Sequence, residues 1–246
     1  MLTLRLLGLD LALGSLLGLF LTPIASIGRG FWWMMLAVAV LGVMPSALAG
    51  PVHLAAAALV AVLIALTFFP RAWRMAPVLL GVAAAALAWS RFQLTPLSAP
   101  FAALDTLLSA LMLGGANFAM IFGHWYLVIP GMKLDPLRRV SRDLLWIALA
   151  RTLALIAGII LYRDALPSGR LMPLTVWLWP GPGQYFFIQR VLYGLLAAAP
   201  LAWMAAKCAD LRNTQSATGI LYALELAVLV GEGLSRHLTV ITGLPL

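Results

Sequence analysis

The residues with chemistry to offer are few, and the densest run of them lies between positions 215 and 236. Gln215, Thr218, Tyr222, Glu225, Glu232 and Arg236 follow one another at intervals of three and four, with apolar Leu229 at the missing step. On an α-helix that spacing draws one polar edge. Carboxylates and hydroxyls in such a line can relay protons or hydrogen-bond a quinone carbonyl, with Glu225 and Glu232 as proton carriers. They can equally be spent on buried ion pairs that fix helix packing. The cations to pair them with are Arg151 and Arg190. A helix starting near 143 places Arg151 about 12 Å deep, and Glu225 sits about 14 Å deep from the same face, which predicts an Arg151–Glu225 pair. Arg190 and Glu232 match in depth near the other face, which predicts a second pair. Asp10 and Asp105 read as hydrated carboxylates at helix ends.

Three histidines, His53, His124 and His237, raise the question of b-type haem, which takes axial histidines from facing helices. His124 and His237 fall at opposite ends of their helices, roughly 15–20 Å apart in depth, too far for one iron. His53 with His237, or His124 alone, remains open, and haem ranks below quinone as a cofactor. No HxxxH, HExxH or Cys/His cluster suggests a metal site, and the single Cys208 excludes an intrachain disulfide. No Ser/His/Asp triad can be built from these histidines, and GPGQ at 181–184 lacks the lysine of a phosphate loop. No catalytic residue is assigned, so an accessory role is favoured over an enzyme. Gly115, Ala119 and Gly123 form a ridge of small residues where another helix or a flat cofactor can approach, beside Asn117, His124, Trp125 and Tyr126.

These residues must be held by helices, because the composition leaves no other medium than lipid. Of 246 residues, 63% are hydrophobic and 10% charged, against about 45–50% and about 25% in a soluble domain. Eight stretches reach spanning length, at roughly 6–27, 31–49, 52–69, 76–93, 101–129, 143–163, 184–206 and 216–242. The expected fold is all-α, an integral membrane bundle of about eight transmembrane helices forming a single domain over 1–246. Asp10 interrupts the first stretch, which therefore reads as a retained helix and not a secretory signal. The net charge of +8 sits in short clusters that suit anionic lipid headgroups and not nucleic acid. Arg29, Arg71, Arg74, Lys133, Arg138, Arg139, Arg142, Lys207 and Arg212 fall on one side, and Arg5, Arg91, Arg163, Arg170 and Arg236 on the other. Nine against five puts the first set inside and both termini outside. Trp177 and Trp179 read as outer-boundary anchors on a segment, 171–183, that lies along the interface.

The strings GHWYLVIPG at 123–131 and NTQSATGILY at 213–222, with GE at 231–232, resemble a family of bacterial multi-pass membrane proteins without an established activity. The resemblance covers roughly the second half of the chain and draws interest to His124, Thr218, Tyr222 and Glu232. The leading expectation for function is a membrane subunit of a bacterial respiratory or redox assembly in the inner membrane, partnered by other redox subunits. It would offer a quinone-facing or proton-conducting pocket. The alternatives are a transporter for a small solute or ion, and a structural anchor without chemistry.

Overall fold

The computed structural model describes residues 2–22, 29–46, 60–62, 76–94, 99–129, 132–165, 173–244 and 246. Among these the chain is helical, with no strand. The helices are α1 (Leu2–Leu21), α2 (Arg29–Val43, extended by a 3₁₀ turn Met44–Ser46), α3 (Ala76–Leu94), α4 (Ala99–Val128) and α5 (Asp135–Leu161). A five-residue α6 (Leu174–Leu178) follows, then α7 (Gln184–Asp210, with a π-helical turn at Leu192–Ala197) and α8 (Thr214–Thr242).

Of the eight expected spans, five are helices long and apolar enough to cross a membrane: α1, α4, α5, α7 and α8. Two more, α2 and α3, are apolar but shorter. Apart from residues 60–62, the expected span 52–69 lies outside the described residues, and His53 with it. Among the described residues the chain is thus all-helical, with five helices long and apolar enough to span a membrane.

Local chemistry explains the boundaries. α5 begins at Asp135, two turns earlier than the apolar run suggests. Pro136 stands in its first turn, where a missing N–H costs nothing, and Asp135 faces the positive helix end. The basic residues Arg138, Arg139 and Arg142, expected in a loop, are therefore helical. Arg138 reaches across to the last carbonyls of α7, donating from Nε to Ala209 (3.2 Å) and from Nη2 to Asp210 (3.1 Å). A cation at a helix C-terminus is favourably placed. α8 is capped by Asn213, whose side chain accepts from the Ser216 N–H at 3.0 Å, and it ends at Gly243 in the left-handed region with φ 71°.

Glycines let the helices cross closely. A Cβ on Gly114 of α4 would meet the backbone of Gly14 on α1, and Gly8 and Gly42 are related in the same way between α1 and α2. Gly194 in the π-helical turn of α7 lies against Gly231 of α8. The ridge expected on Gly115 and Gly123 is a packing surface: Gly115 takes Leu144 of α5, and Gly123 takes Thr218 and Leu221 of α8. Phe31 of α2 sits among Phe118, Phe122 and Trp125 of α4 at centroid distances of 5.4, 5.5 and 5.8 Å, closing the core near one end of the bundle.

That end is the basic face, where α4 and α7 finish and α5 and α8 start, carrying Lys133, Arg138, Arg139, Arg142, Lys207 and Arg212. The first half of α1 and the last third of α8 approach each other at the opposite face. The short α6 differs from expectation: Leu174, Trp177 and Leu178 are buried against Leu155, Leu195 and Leu238, so Trp177 is a core residue. Trp179 alone of that pair is exposed.

Candidate functional site

Two separate polar regions occupy the bundle. The larger is a network of charged side chains drawn from six helices and buried near the face opposite the basic one. Asp10 comes from α1, Arg91 from α3, Asp105 from α4, Arg151 from α5, Arg190 from α7, and Glu232 and Arg236 from α8. Each of the seven is at most 3% exposed. Arg151 is its hinge: Nη1 lies 2.5 Å from Asp105 Oδ1, while Nε and Nη2 hold the two oxygens of Glu232 at 3.1 and 3.2 Å. Arg190 Nη2 donates to Glu232 Oε1 at 3.1 Å. Arg236 donates from Nη1 to Asp105 (3.0 Å), and its Nε lies 3.4 Å from Asp10. Arg91 bridges Asp105 at 3.1 Å and is paired with Asp10. Ser109 completes the centre, donating to Glu232 Oε2 at 2.6 Å and accepting from Arg236 Nη2 at 2.8 Å.

Low-dielectric surroundings make such charges tolerable only when paired and hydrogen-bonded. The pairing here is complete for the anions and not for the cations. Four guanidiniums meet three carboxylates, a surplus of one positive charge among the described residues. The surplus shows at Arg190, whose Nε and Nη1 have no hydrogen-bond partner among the described residues although the side chain is fully buried.

No family model matches the chain, nor does any curated protein or solved structure compared with it. The functional reading therefore rests on geometry.

The second polar region lies toward the basic face, where α4 and α8 run antiparallel. Glu225 of α8 is 7% exposed and has Asn117 of α4 as its hydrogen-bonding neighbour. Neither Glu225 Oε2 nor Asn117 Oδ1 has a further partner among the described residues. One turn closer to the basic face, Tyr222 Oη lies 3.3 Å from His124 Nδ1, their rings edge to face at 6.4 Å. Both side chains are exposed. Thr218 is buried against Gly123, and its hydroxyl donates to the Thr214 carbonyl of its own helix at 2.8 Å. Between Glu225 and Glu232 the interface is apolar: Met112, Leu113 and Ala116 share one buried cluster with Leu224 and Val228. Seven residues of helix separate the two carboxylates, about 10 Å of rise.

The structure thus divides the expected polar edge in two. Glu225, Glu232, Thr218 and Arg236 turn inward, while Tyr222 and Gln215 are exposed. The Arg190–Glu232 pair forms as the matching depths suggest. The Arg151–Glu225 pair does not: Arg151 binds Glu232 and Asp105 instead. The reason is the early start of α5. Counted from Asp135, Arg151 lies about 24 Å from the basic end, twice the depth read from a start near 143, and so passes Glu225 and meets Glu232. Asp10 and Asp105 are buried network members at 0% and 3% exposure, not hydrated boundary carboxylates, because Arg91, Arg151 and Arg236 neutralise them there. Arg91 and Arg236, counted among the outer loop residues, are interior. His237 packs on Phe186 at 5.2 Å near the network face, far along the bundle from His124. Among the described residues no group of three or more His, Cys, Asp or Glu could hold a metal ion.

Sequence reasoning missed Asp10, Arg91, Asp105, Ser109 and Arg236 as partners. The signal was present as a balance: three carboxylates and four arginines all fall inside or at the edges of apolar runs, where each needs a counter-charge.

Proposed function

We propose that this chain is an accessory membrane subunit of a bacterial respiratory or redox assembly, with its polar pocket at Glu225, Asn117, His124 and Tyr222. The observation that carries the proposal is Glu225: a buried carboxylate with an unfilled oxygen, beside an amide with an unfilled oxygen, one turn from an exposed Tyr–His pair. Tyr222 and His124 offer a hydroxyl and an imidazole at a depth where a quinone headgroup can enter from the bilayer. Each can hydrogen-bond a quinone carbonyl, and Glu225 behind them can exchange a proton with it. The small extramembrane mass fits a subunit that works beside soluble redox partners. Glu232 is not the proton carrier in this reading. Three arginines and Ser109 hold it, so its half of the bundle is an internal fastening, which is what a structural anchor would contain.

The bacterial inner membrane is the setting, with the basic face inward and both termini outward. With Arg91 and Arg236 removed from the loop count, the positive-inside bias that supports this orientation becomes stronger.

Titrating the purified protein in nanodiscs with a short-chain benzoquinone tests the pocket. Trp125, next to His124 and with an indole N–H that has no partner among the described residues, is the reporter. Saturable fluorescence quenching is expected, absent in Trp125→Phe and weakened at least about tenfold in Tyr222→Phe and His124→Ala. Quenching that rises linearly with quinone in all variants means simple partitioning into lipid, and the proposal fails.

A further inference from the structure

The polar region at Glu225 has an inner and an outer part that differ in hydrogen-bonding character. The inner part is Glu225 with Asn117, whose amide is turned to the Glu225 carboxylate. Among the described residues the buried atoms of this pair left without a partner are both oxygens, Glu225 Oε2 and Asn117 Oδ1. The outer part is Tyr222 and His124, in contact with each other. Tyr222 lies three residues from Glu225 along α8, about 4.5 Å of rise. A phenol hydroxyl and an imidazole can each donate or accept. Glu225 stands on α8 between Tyr222 and Leu229, both exposed, so its carboxylate borders a face of the helix that meets lipid.

An unfilled acceptor in an apolar interior is costly, and only a donor relieves it. A quinone brings two carbonyl oxygens and no donor, and against Glu225 it would set lone pairs against a carboxylate. The hydroquinone brings an O–H at each end of the ring, and an O–H given to a carboxylate is a charge-assisted bond. We propose, resting on the reading of this region as a quinone pocket, that it takes the hydroquinone in preference to the quinone. One ring hydroxyl donates to the Glu225–Asn117 oxygens, and the other meets Tyr222 and His124. The outer pair serves either form, so the selection between them comes from the inner pair.

Equilibrium dialysis of the full chain in nanodiscs against empty nanodiscs, under argon, tests this with one short-chain quinone in its oxidised and its reduced form. The hydroquinone should bind at least about tenfold more tightly than the quinone. Glu225→Gln, which places an amide N–H at the carboxylate, should remove or reverse that preference, with unchanged helical circular dichroism showing that it folds. Tyr222→Phe should weaken both forms alike and leave their ratio unchanged. Saturable binding of both forms with equal affinity, as expected if Glu225 closes on Asn117 with a proton of its own, overturns the preference and leaves the pocket standing. So does tighter binding of the quinone, or a preference for hydroquinone that survives in Glu225→Gln. No saturable binding of either form overturns the pocket itself, and the preference with it.

Discussion

Consider one broken ion pair, Arg190–Glu232, removed from each side in turn. Glu232→Gln keeps the shape but leaves four guanidiniums against two carboxylates, and its amide presents N–H groups to arginines that need acceptors. Arg151 loses both of its charged bonds to position 232, Arg190 loses its single one, and the buried surplus rises from one to two. Removing one partner of a buried pair costs about 3–5 kcal/mol. Arg190→Met breaks the same pair but leaves three charges against three, and Glu232 keeps Arg151 and Ser109. One charge-assisted bond is lost, about 1.5–3 kcal/mol, and relief of the surplus, together with removal of the two Arg190 nitrogens that have no partner among the described residues, offsets most of it. Glu232→Gln should therefore be at least about 2 kcal/mol worse than Arg190→Met. Equilibrium unfolding in mixed detergent micelles measures both. Equal costs, or the reverse order, refute the charge count on which the reasoning stands.

Other consequences follow from the same geometry. Glu225→Gln leaves no ion pair broken and should change stability by less than about 1 kcal/mol in the same unfolding assay, in contrast to Glu232→Gln. Gly114→Leu drives a side chain into the backbone of Gly14 and should cost about 3 kcal/mol or more, whereas Gly81→Leu, exposed and with nothing within 4 Å of its Cβ position among the described residues, should be near neutral; thermal aggregation in detergent ranks the two. With Cys208 replaced by Ser, Arg212→Cys should react with a membrane-impermeant maleimide in inverted vesicles and not in intact cells, while Arg163→Cys does the opposite. A purified preparation without a Soret band in its visible spectrum is expected if quinone, and not haem, is the ligand near His124.

The class of fold was legible because lipid imposes a simple rule: long apolar runs must be helices. The inward edge of α8 was legible for a related reason, since Glu225 and Glu232 could not face hydrocarbon. What could not be read is how edges on different helices meet. Asp10 and Arg91 are 81 residues apart, and no local pattern links them. The mispairing of Arg151 shows how one boundary propagates: Arg138, Arg139 and Arg142 looked like a loop, but Asp135 and Pro136 started a helix before them, and every depth on α5 shifted by two turns. The glycines were visible as close-packing residues, yet their partners, Gly14 with Gly114 and Gly194 with Gly231, depend on crossing points that only the assembled bundle defines.

A double-mutant cycle between Arg151 and Glu232, run beside one between Arg151 and Glu225, bears most directly on the internal network. Arg151→Met and Glu232→Leu, singly and together in nanodiscs, should show a coupling of about 1–3 kcal/mol, with the double variant more stable than the sum of its parts. Arg151→Met with Glu225→Leu should be additive within about 0.5 kcal/mol. Additivity in the first cycle and coupling in the second would place Arg151 beside the wrong carboxylate and dissolve both the fastening and the separate pocket at Glu225.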